Sequence, residues 1–123
     1  MKIINKSREF TAKEIYSMTQ DSAVMSVKNV EDGAILNVNG FIEFDDADKD
    51  GNVTHILSLI GADNETGEVV VWACQSATFK RSFGDIMDIA CDSEIDISKD
   101  PIAIQKISGK TNAGRDYVNC RWA

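Results

Sequence analysis

Five runs of the chain have the alternation or the apolar content of β-strands. They span residues 34–44, 53–60, 69–74, 101–107 and 117–122. In the first run the apolar side chains are predicted to share one buried face, and the polar ones share the other face with Phe41. The predicted buried face consists of Leu36, Val38, Ile42 and Phe44. Gly40 inside this run predicts a bulge or a sharp coil of the kind that lets a small barrel close.

Two further segments have the features of helices. Residues 76–90 repeat apolar side chains at steps of four, three, one and three, which places them on one helical face. They are Phe79, Phe83, Ile86, Met87 and Ala90. Near the start of the chain, Thr11 and Glu14 match a capping box, in which each side chain satisfies a free N–H group at a helix N-terminus. A short N-terminal helix is therefore predicted.

The order of these elements from residue 34 is strand, strand, strand, helix, strand, strand, which is the order of the five-stranded OB barrel. The sequence therefore predicts a mainly β protein with an OB-fold barrel over residues 34–122. An N-terminal helical extension over residues 1–30 precedes the barrel. The chain has 123 residues and no linker-like segment, so a single domain, residues 1–123, is predicted.

The formal net charge of −7 at first argues against a nucleic-acid ligand, because phosphate binding depends on Lys and Arg. The charges are unevenly distributed, however. Acidic residues crowd the middle of the chain, whereas from Pro101 onward four cations accompany Asp116 alone. These cations are Lys106, Lys110, Arg115 and Arg121. They predict a basic C-terminal hairpin, with ordinary solvated surface charge as an equal alternative.

The number and spacing of the cysteines and the hydropathy of the chain bear on the cellular compartment of the protein. The three cysteines are widely spaced and form no CxxC pair, so neither a disulfide framework nor a zinc site is predicted. No signal-peptide-like apolar segment is apparent, and no run approaches the roughly 20 apolar residues of a membrane span. A cytoplasmic protein without membrane association is expected.

Catalytic motifs are weak. Residues 46–51 match the opening of a calcium-binding EF-hand loop, but the twelfth position, which needs a bidentate Glu, is Leu57. An acidic hairpin loop is predicted there instead. His55 is the only histidine and lies within a predicted strand, and no nucleophile or nucleotide-binding motif accompanies it. We therefore predict a protein with no enzymatic activity, no cofactor and no metal.

Binding of single-stranded nucleic acid needs flat rings for base stacking and cations for the backbone. Tyr117 and Arg121 alternate to one face of the last strand, Phe41 lies on a polar strand face, and Trp72 alternates against its apolar neighbours. The predicted DNA-binding residues are Phe41, His55, Trp72, Lys106, Lys110, Arg115, Tyr117 and Arg121. For the three rings, plain packing is an equal alternative, and for His55 a half-buried strand position is the commoner one.

Four short segments carry a resemblance to a known family. They are residues 28–35 (KNVEDGAI), 53–56 (VTHI), 82–89 (SFGDIMDI), and 109–111 (GKT) with Gly114 and Tyr117. In this order and spacing, from about the first helix to the end, the chain resembles the small single-stranded DNA-binding proteins of tailed bacterial viruses that replicate by protein priming, and of related phages and prophages.

The resemblance implies an OB-type fold that coats single-stranded DNA during phage replication in the cytoplasm of the bacterial host. It also implies contacts from the aromatic and basic residues of the sheet face and the last hairpin. Phage replication proteins are the further partners it suggests.

The residues and the resemblance predict a monomeric or weakly self-associating protein that binds single-stranded DNA with little sequence preference. The alternative is a protein-binding OB module, or an acidic phage inhibitor that engages a host protein. Neutralising Lys110, Arg115 and Arg121 should abolish function in the first case. In the second case the same loss is expected from neutralising the acidic residues at 45, 46, 48 and 50.

Overall fold

The structure is a computed structural model that describes residues 1–123 in full. It is mainly β, with seven strands, two α-helices and one turn of 3-10 helix. The strands are β1 (Lys2–Lys6), β2 (Met25–Ser26), β3 (Ile35–Ala47), β4 (Val53–Ala62), β5 (Val69–Cys74), β6 (Ile102–Lys110) and β7 (Asp116–Trp122). The helices are α1 (Ala12–Thr19) and α2 (Ala77–Asp92), and the 3-10 turn is Val27–Asn29. Neither α-helix has the length and apolar character needed to cross a membrane.

All seven strands belong to one curled sheet, a half-barrel that stays open on one side. The order along the sheet is β2-β5-β4-β3-β6-β7. Strand β3 pairs with β4 along one edge and divides its other edge between two antiparallel partners, β6 at its start and β1 near its end. Strand β2 pairs in parallel with β5 and forms one edge of the sheet, and β7 forms the other edge. These two strands do not pair, so the opening of the half-barrel lies between β2 and β7.

The bulge predicted at Gly40 is confirmed, and it exchanges the two faces of β3. The register with β4 shifts between Val38 and Gly40. Leu36 and Val38 therefore lie in the main core, whereas Ile42 and Phe44 lie in a second apolar cluster on the opposite face of the sheet. All four are buried, but the prediction that they share one face is wrong, because an extra residue shifts the period-two alternation by one position.

The main core fills the inside of the half-barrel, and α2 closes it. The hydroxyl of Ser76 caps α2 by accepting a hydrogen bond from the backbone N–H of Phe79 at 3.3 Å. The predicted apolar face of this helix is confirmed: Phe79, Phe83, Ile86 and Ala90 are buried, and Met87 packs partly buried against them.

The predicted N-terminal helix and its capping box are also confirmed. The Thr11 hydroxyl accepts from the Glu14 N–H at 3.1 Å, and the Glu14 carboxylate accepts from the Thr11 N–H at 2.9 Å. Helix α1 packs on β4 and β5, where Met18 joins the second apolar cluster with Ile60. Part of the outer face of these two strands is therefore covered by the chain itself.

The mainly β class and the element order from Ile35 onward are as predicted, but the chain has seven strands where five were expected. The two additional strands, β1 and β2, come from the segment predicted as a helical extension. Nearly all their residues are exposed, so burial imposes no alternation that could reveal them in the sequence.

Candidate functional site

Strands β6 and β7 form a hairpin whose turn spans residues 111–115, and we call residues 102–122 the basic hairpin. Its register runs from Ile104 opposite Trp122 to Lys110 opposite Asp116. Buried Ile104 and Cys120 mark the inner face. Tyr117 and Arg121, with Asn119 between them, therefore lie on the outer face, as the alternation predicts.

Tyr117 lies against the backbone of the neighbouring strand at Gly109. A β-carbon added at Gly109 would overlap the ring and hydroxyl of Tyr117, so only a glycine leaves room for the ring in this place. The Tyr117 side chain nevertheless remains 37% exposed. The ring is thus held in position by the strand while part of its surface stays accessible.

Three of the four predicted cations are exposed on the basic hairpin: Lys110, Arg115 and Arg121. The Lys110 ammonium lies 3.0 Å from the Asp116 carboxylate, and both side chains are so exposed that the pair holds Lys110 only weakly. Arg115 and Arg121 form no ion pair within the protein. The hairpin therefore presents cationic groups that an external anion can reach.

Lys106, the fourth predicted cation, is not part of this surface. It is 4% exposed and alternates to the inner face, opposite Cys120. Its ammonium donates to the Val30 carbonyl at 2.7 Å and lies 2.7 Å from the Asp32 carboxylate. We therefore correct its assignment as a DNA contact: Lys106 ties the segment after the 3-10 turn to β6.

The carboxylate of Asp32 makes the stability of this Lys106 contact depend on pH. Hydrogen bonds from the Lys106 ammonium and then from the Ser108 hydroxyl hold the pKa of Asp32 below its ordinary value of 3.8. A lowered folded-state pKa contributes stability that is present above the ordinary pKa and is lost as pH falls through the folded-state pKa. The contribution of Asp32 is therefore complete at neutral pH and disappears in acid.

We expect the melting temperature to fall on acidification below about pH 4, and to fall less in Asp32→Asn than in the wild type. Thermal melts followed by circular dichroism between pH 5 and pH 2 measure this difference. Asp92→Asn, which removes an exposed carboxylate without a hydrogen-bond partner, is the control. Identical acid profiles for Asp32→Asn and the wild type would contradict the role given to the Lys106 contact.

Trp72 and Phe41 are placed differently from their prediction as stacking residues. Trp72 is 4% exposed and lies in the main core, whereas Val69, on the other face of β5, is exposed. Phe41 lies beyond the bulge, faces the main core and meets Phe83 edge to face, with ring centroids 5.5 Å apart. Packing inside the half-barrel is therefore the role of both rings, and neither is carried forward as a base contact.

His55 is exposed on β4 and its ring hydrogen-bonds the Asp45 carboxylate. Its backbone carbonyl accepts from the Lys80 ammonium at 3.2 Å. These groups, with Ile4, line a small cavity of about 410 Å³ that shares no lining residue with the basic hairpin. The structure therefore does not bring His55 together with Lys110, Arg115, Tyr117 and Arg121.

A larger groove of about 1210 Å³ occupies the opening of the half-barrel, and we call it the edge groove. Its walls come from the end of α1, from β2, from the end of β5 and from the first residues of β7, and Tyr117 belongs to its lining. Gln20, Lys28 and Gln75 also line it, and none of them was predicted from the sequence. No motif marks these three, because they come together only when β2 and β5 approach β7.

The cysteines do not supply a nucleophile to this region. Burial raises the pKa of the Cys74 thiol, and burial with Cys74 nearby raises the pKa of Cys120 to about 12. Both thiols stay protonated at neutral pH, and a thiol without its thiolate is a poor nucleophile. Cys91 is exposed on α2.

No group of three or more His, Cys, Asp or Glu side chains is arranged to hold a metal ion. The site thus offers exposed cations, the accessible rings of Tyr117 and Trp122, and polar side chains along a groove. Such groups can bind a ligand through its charge and its planar surfaces. No protein-family model, curated protein or solved structure matches the chain.

Proposed function

We propose that the protein is an OB-type domain that binds single-stranded DNA with little sequence preference and catalyses no reaction. The observation that carries this proposal is the outer surface of the basic hairpin. There Arg121 shares the outer face of β7 with the half-exposed ring of Tyr117, and Lys110 and Arg115 are exposed at the turn of the same hairpin. Cations beside an accessible ring are the combination that contacts phosphates and stacks on bases without reading sequence.

The topology supports an OB-type assignment. From β3 onward the elements follow the OB order, and the long first strand serves two antiparallel partners on either side of its bulge. OB barrels are only partly closed, and an opening between the edge strands β2 and β7 is compatible with that description. We regard β1, α1 and β2 as additions to this frame.

The net charge of −7 does not conflict with DNA binding. At physiological ionic strength the Debye length is about 8 Å, so exposed carboxylates farther than that from the hairpin are largely screened. The carboxylate on the hairpin itself, Asp116, is paired with Lys110. A phosphate approaching the hairpin therefore meets mainly the guanidinium groups of Arg115, in the turn, and Arg121, on the outer face.

The resemblance to phage single-stranded DNA-binding proteins points to the same activity and suggests its context. In that context the protein coats single-stranded DNA in the cytoplasm of a bacterial host during phage replication. Coating protects the strand from nucleases and prevents unproductive binding of the polymerase. Replication proteins of the phage are then the proposed protein partners.

Fluorescence anisotropy with an end-labelled dT 30-mer, at low and at high salt, tests the proposal. We expect saturable binding whose logarithmic affinity falls with the logarithm of salt concentration, with a slope of about −0.7 for each phosphate contacted. A duplex of the same length should compete poorly, because its bases are stacked on each other. Quenching of Trp122, which is 39% exposed at the end of β7, offers a label-free second signal.

Absence of binding at low salt, by both signals, would defeat the DNA proposal. The acidic residues at 45, 46, 48 and 50 would then be the better candidates for a functional surface. A protein-binding OB module, or an inhibitor of a host protein, would become the hypothesis to pursue.

A further inference from the structure

The edge groove differs from the hairpin surface in its chemistry. Three carboxylates stand in its walls: Asp21, Asp32 and Asp116. Each is engaged within the protein, the first by the Ala23 N–H, the second by the Lys106 ammonium and the Ser108 hydroxyl, and the third by the Lys110 ammonium. They therefore need no external cation, but their charge still disfavours a phosphate inside the groove.

The side chains left free in the groove are mostly neutral and polar. The amides of Gln20 and Gln75 make no hydrogen bond within the protein, and both side chains are exposed. Each amide offers two N–H donors and one carbonyl acceptor, which suits a ligand that carries both kinds of group on one edge. Lys28, also exposed, is the one lining cation without an ion-pair partner.

The edge groove also has apolar surface and enough volume for a ligand. Val118 and Ile56 belong to the lining, and Tyr117 forms part of both the groove and the outer face of the hairpin. Ligand pockets in proteins usually enclose about 300 to 1,000 Å³, so a groove of about 1210 Å³ exceeds the need of a single small ligand. A planar, neutral, polar group attached to a charged backbone outside the groove fits these features.

We propose that the edge groove receives unpaired bases of single-stranded DNA, while the phosphates remain outside on Lys110, Arg115 and Arg121. The amides of Gln20 and Gln75 hydrogen-bond the base edges, and Tyr117 stands at the junction of the two surfaces. This inference rests on the proposed function. It adds a second binding surface in which Gln20 directly follows α1 and Gln75 directly follows β5, outside the hairpin.

The position of α1 explains why bases would bind here. In OB folds, oligonucleotides commonly lie on the outer face of the second and third strands. In this protein those strands are β4 and β5, and α1 covers part of their outer face, with Met18 1% exposed. The edge groove begins where α1 ends, and it is the large opening left beside that face.

Comparison of two ligands separates base contacts from phosphate contacts. One is the dT 30-mer, and the other is a 30-mer of abasic sites, which keeps every phosphate and lacks the bases. For Gln20→Ala/Gln75→Ala we expect about 10-fold weaker binding of dT, since two hydrogen bonds of moderate strength are lost. Binding of the abasic strand and the salt slope should stay as in the wild type, because no phosphate contact changes.

Ser22→Ala/Asn29→Ala is the matched control, since it removes two exposed polar side chains that do not line the groove. It should bind both strands like the wild type. Unchanged dT affinity in Gln20→Ala/Gln75→Ala, or an equal loss on dT and on the abasic strand, would overturn the groove inference while the wild type still binds DNA. Failure of the wild type to bind dT would instead defeat the proposed function and this inference with it.

Discussion

Replacing Lys110, Arg115 and Arg121 together by alanine is expected to weaken binding of a dT 30-mer by about 100-fold at moderate salt. The three side chains are exposed, and a contribution of about 1 kcal/mol from each charge contact gives a sum of about 3 kcal/mol, or about two decades in affinity. The slope of log affinity against log salt should become shallower by about 2, since each lost phosphate contact removes about 0.7. Anisotropy titrations at four or more salt concentrations measure both quantities.

The control for this variant removes the same amount of charge elsewhere. Lys49→Ala, Arg81→Ala and Lys99→Ala replace three exposed cations that lie outside the basic hairpin and form no ion pair. If position matters, this control keeps nearly the wild-type affinity and slope. Equal losses in the two triple variants would mean that net charge, and not the hairpin, governs binding, and the assignment of the hairpin as the contact surface would be wrong.

Gly61→Ala is expected to destabilise the fold by about 3 kcal/mol. A β-carbon at Gly61 would overlap the backbone carbonyl of Asn37 on the neighbouring strand, next to the bulge of β3, and would lie 3.2 Å from the Trp72 ring. Backbone atoms cannot move aside as a flexible side chain can, so the pairing of β3 with β4 must shift. Forced overpacking of a core costs typically 1 to 3 kcal/mol. A fall in melting temperature on the order of 10 °C should follow.

Gly84→Ala is the matched control for that substitution. It adds the same methyl group within α2, where a β-carbon would meet no atom within 4 Å. Alanine is favoured over glycine inside a helix by about 1 kcal/mol, so this variant should be more stable than the wild type. Chemical denaturation of both variants measures the two changes. A Gly61→Ala variant as stable as the wild type would show that the bulge can relax without cost.

The structure agrees with the predicted binding surface where the prediction rests on local alternation of side chains along a strand. Tyr117 and Arg121 lie on the outer face of β7 because buried Cys120 between them faces inward. The same rule places Lys106 on the inner face with Ile104, yet its charge suggested an exposed position. Charge alone could not reveal that Asp32 and the Val30 carbonyl, more than seventy residues earlier, receive its ammonium.

Phe41 shows how a single bulge makes a prediction from strand alternation wrong for the residues beyond it. Its polar neighbours in the sequence, Asn37 and Asn39, suggested an outward ring. The extra residue before Gly40 moves the ring to the inside, against Phe83. Gly40 in the sequence was compatible with a bulge or a sharp coil, and only a bulge adds the residue that moves the later side chains to the other face.

The sequence by itself determined the elements whose signals are local. These are the two helices, the capping box of α1, the strands from Ile35 onward, their order, and the outward side of β7. Local signals suffice there because hydrophobic periodicity and capping depend on residues only a few positions apart. Only the tertiary structure decided what depends on distant segments meeting: the exchange of faces on β3, the burial of Trp72 and Lys106, the covering of β4 and β5 by α1, and the edge groove. Those features arise when parts of the chain that are far apart in sequence pack against each other, and such long-range contacts produce no periodic pattern in the sequence.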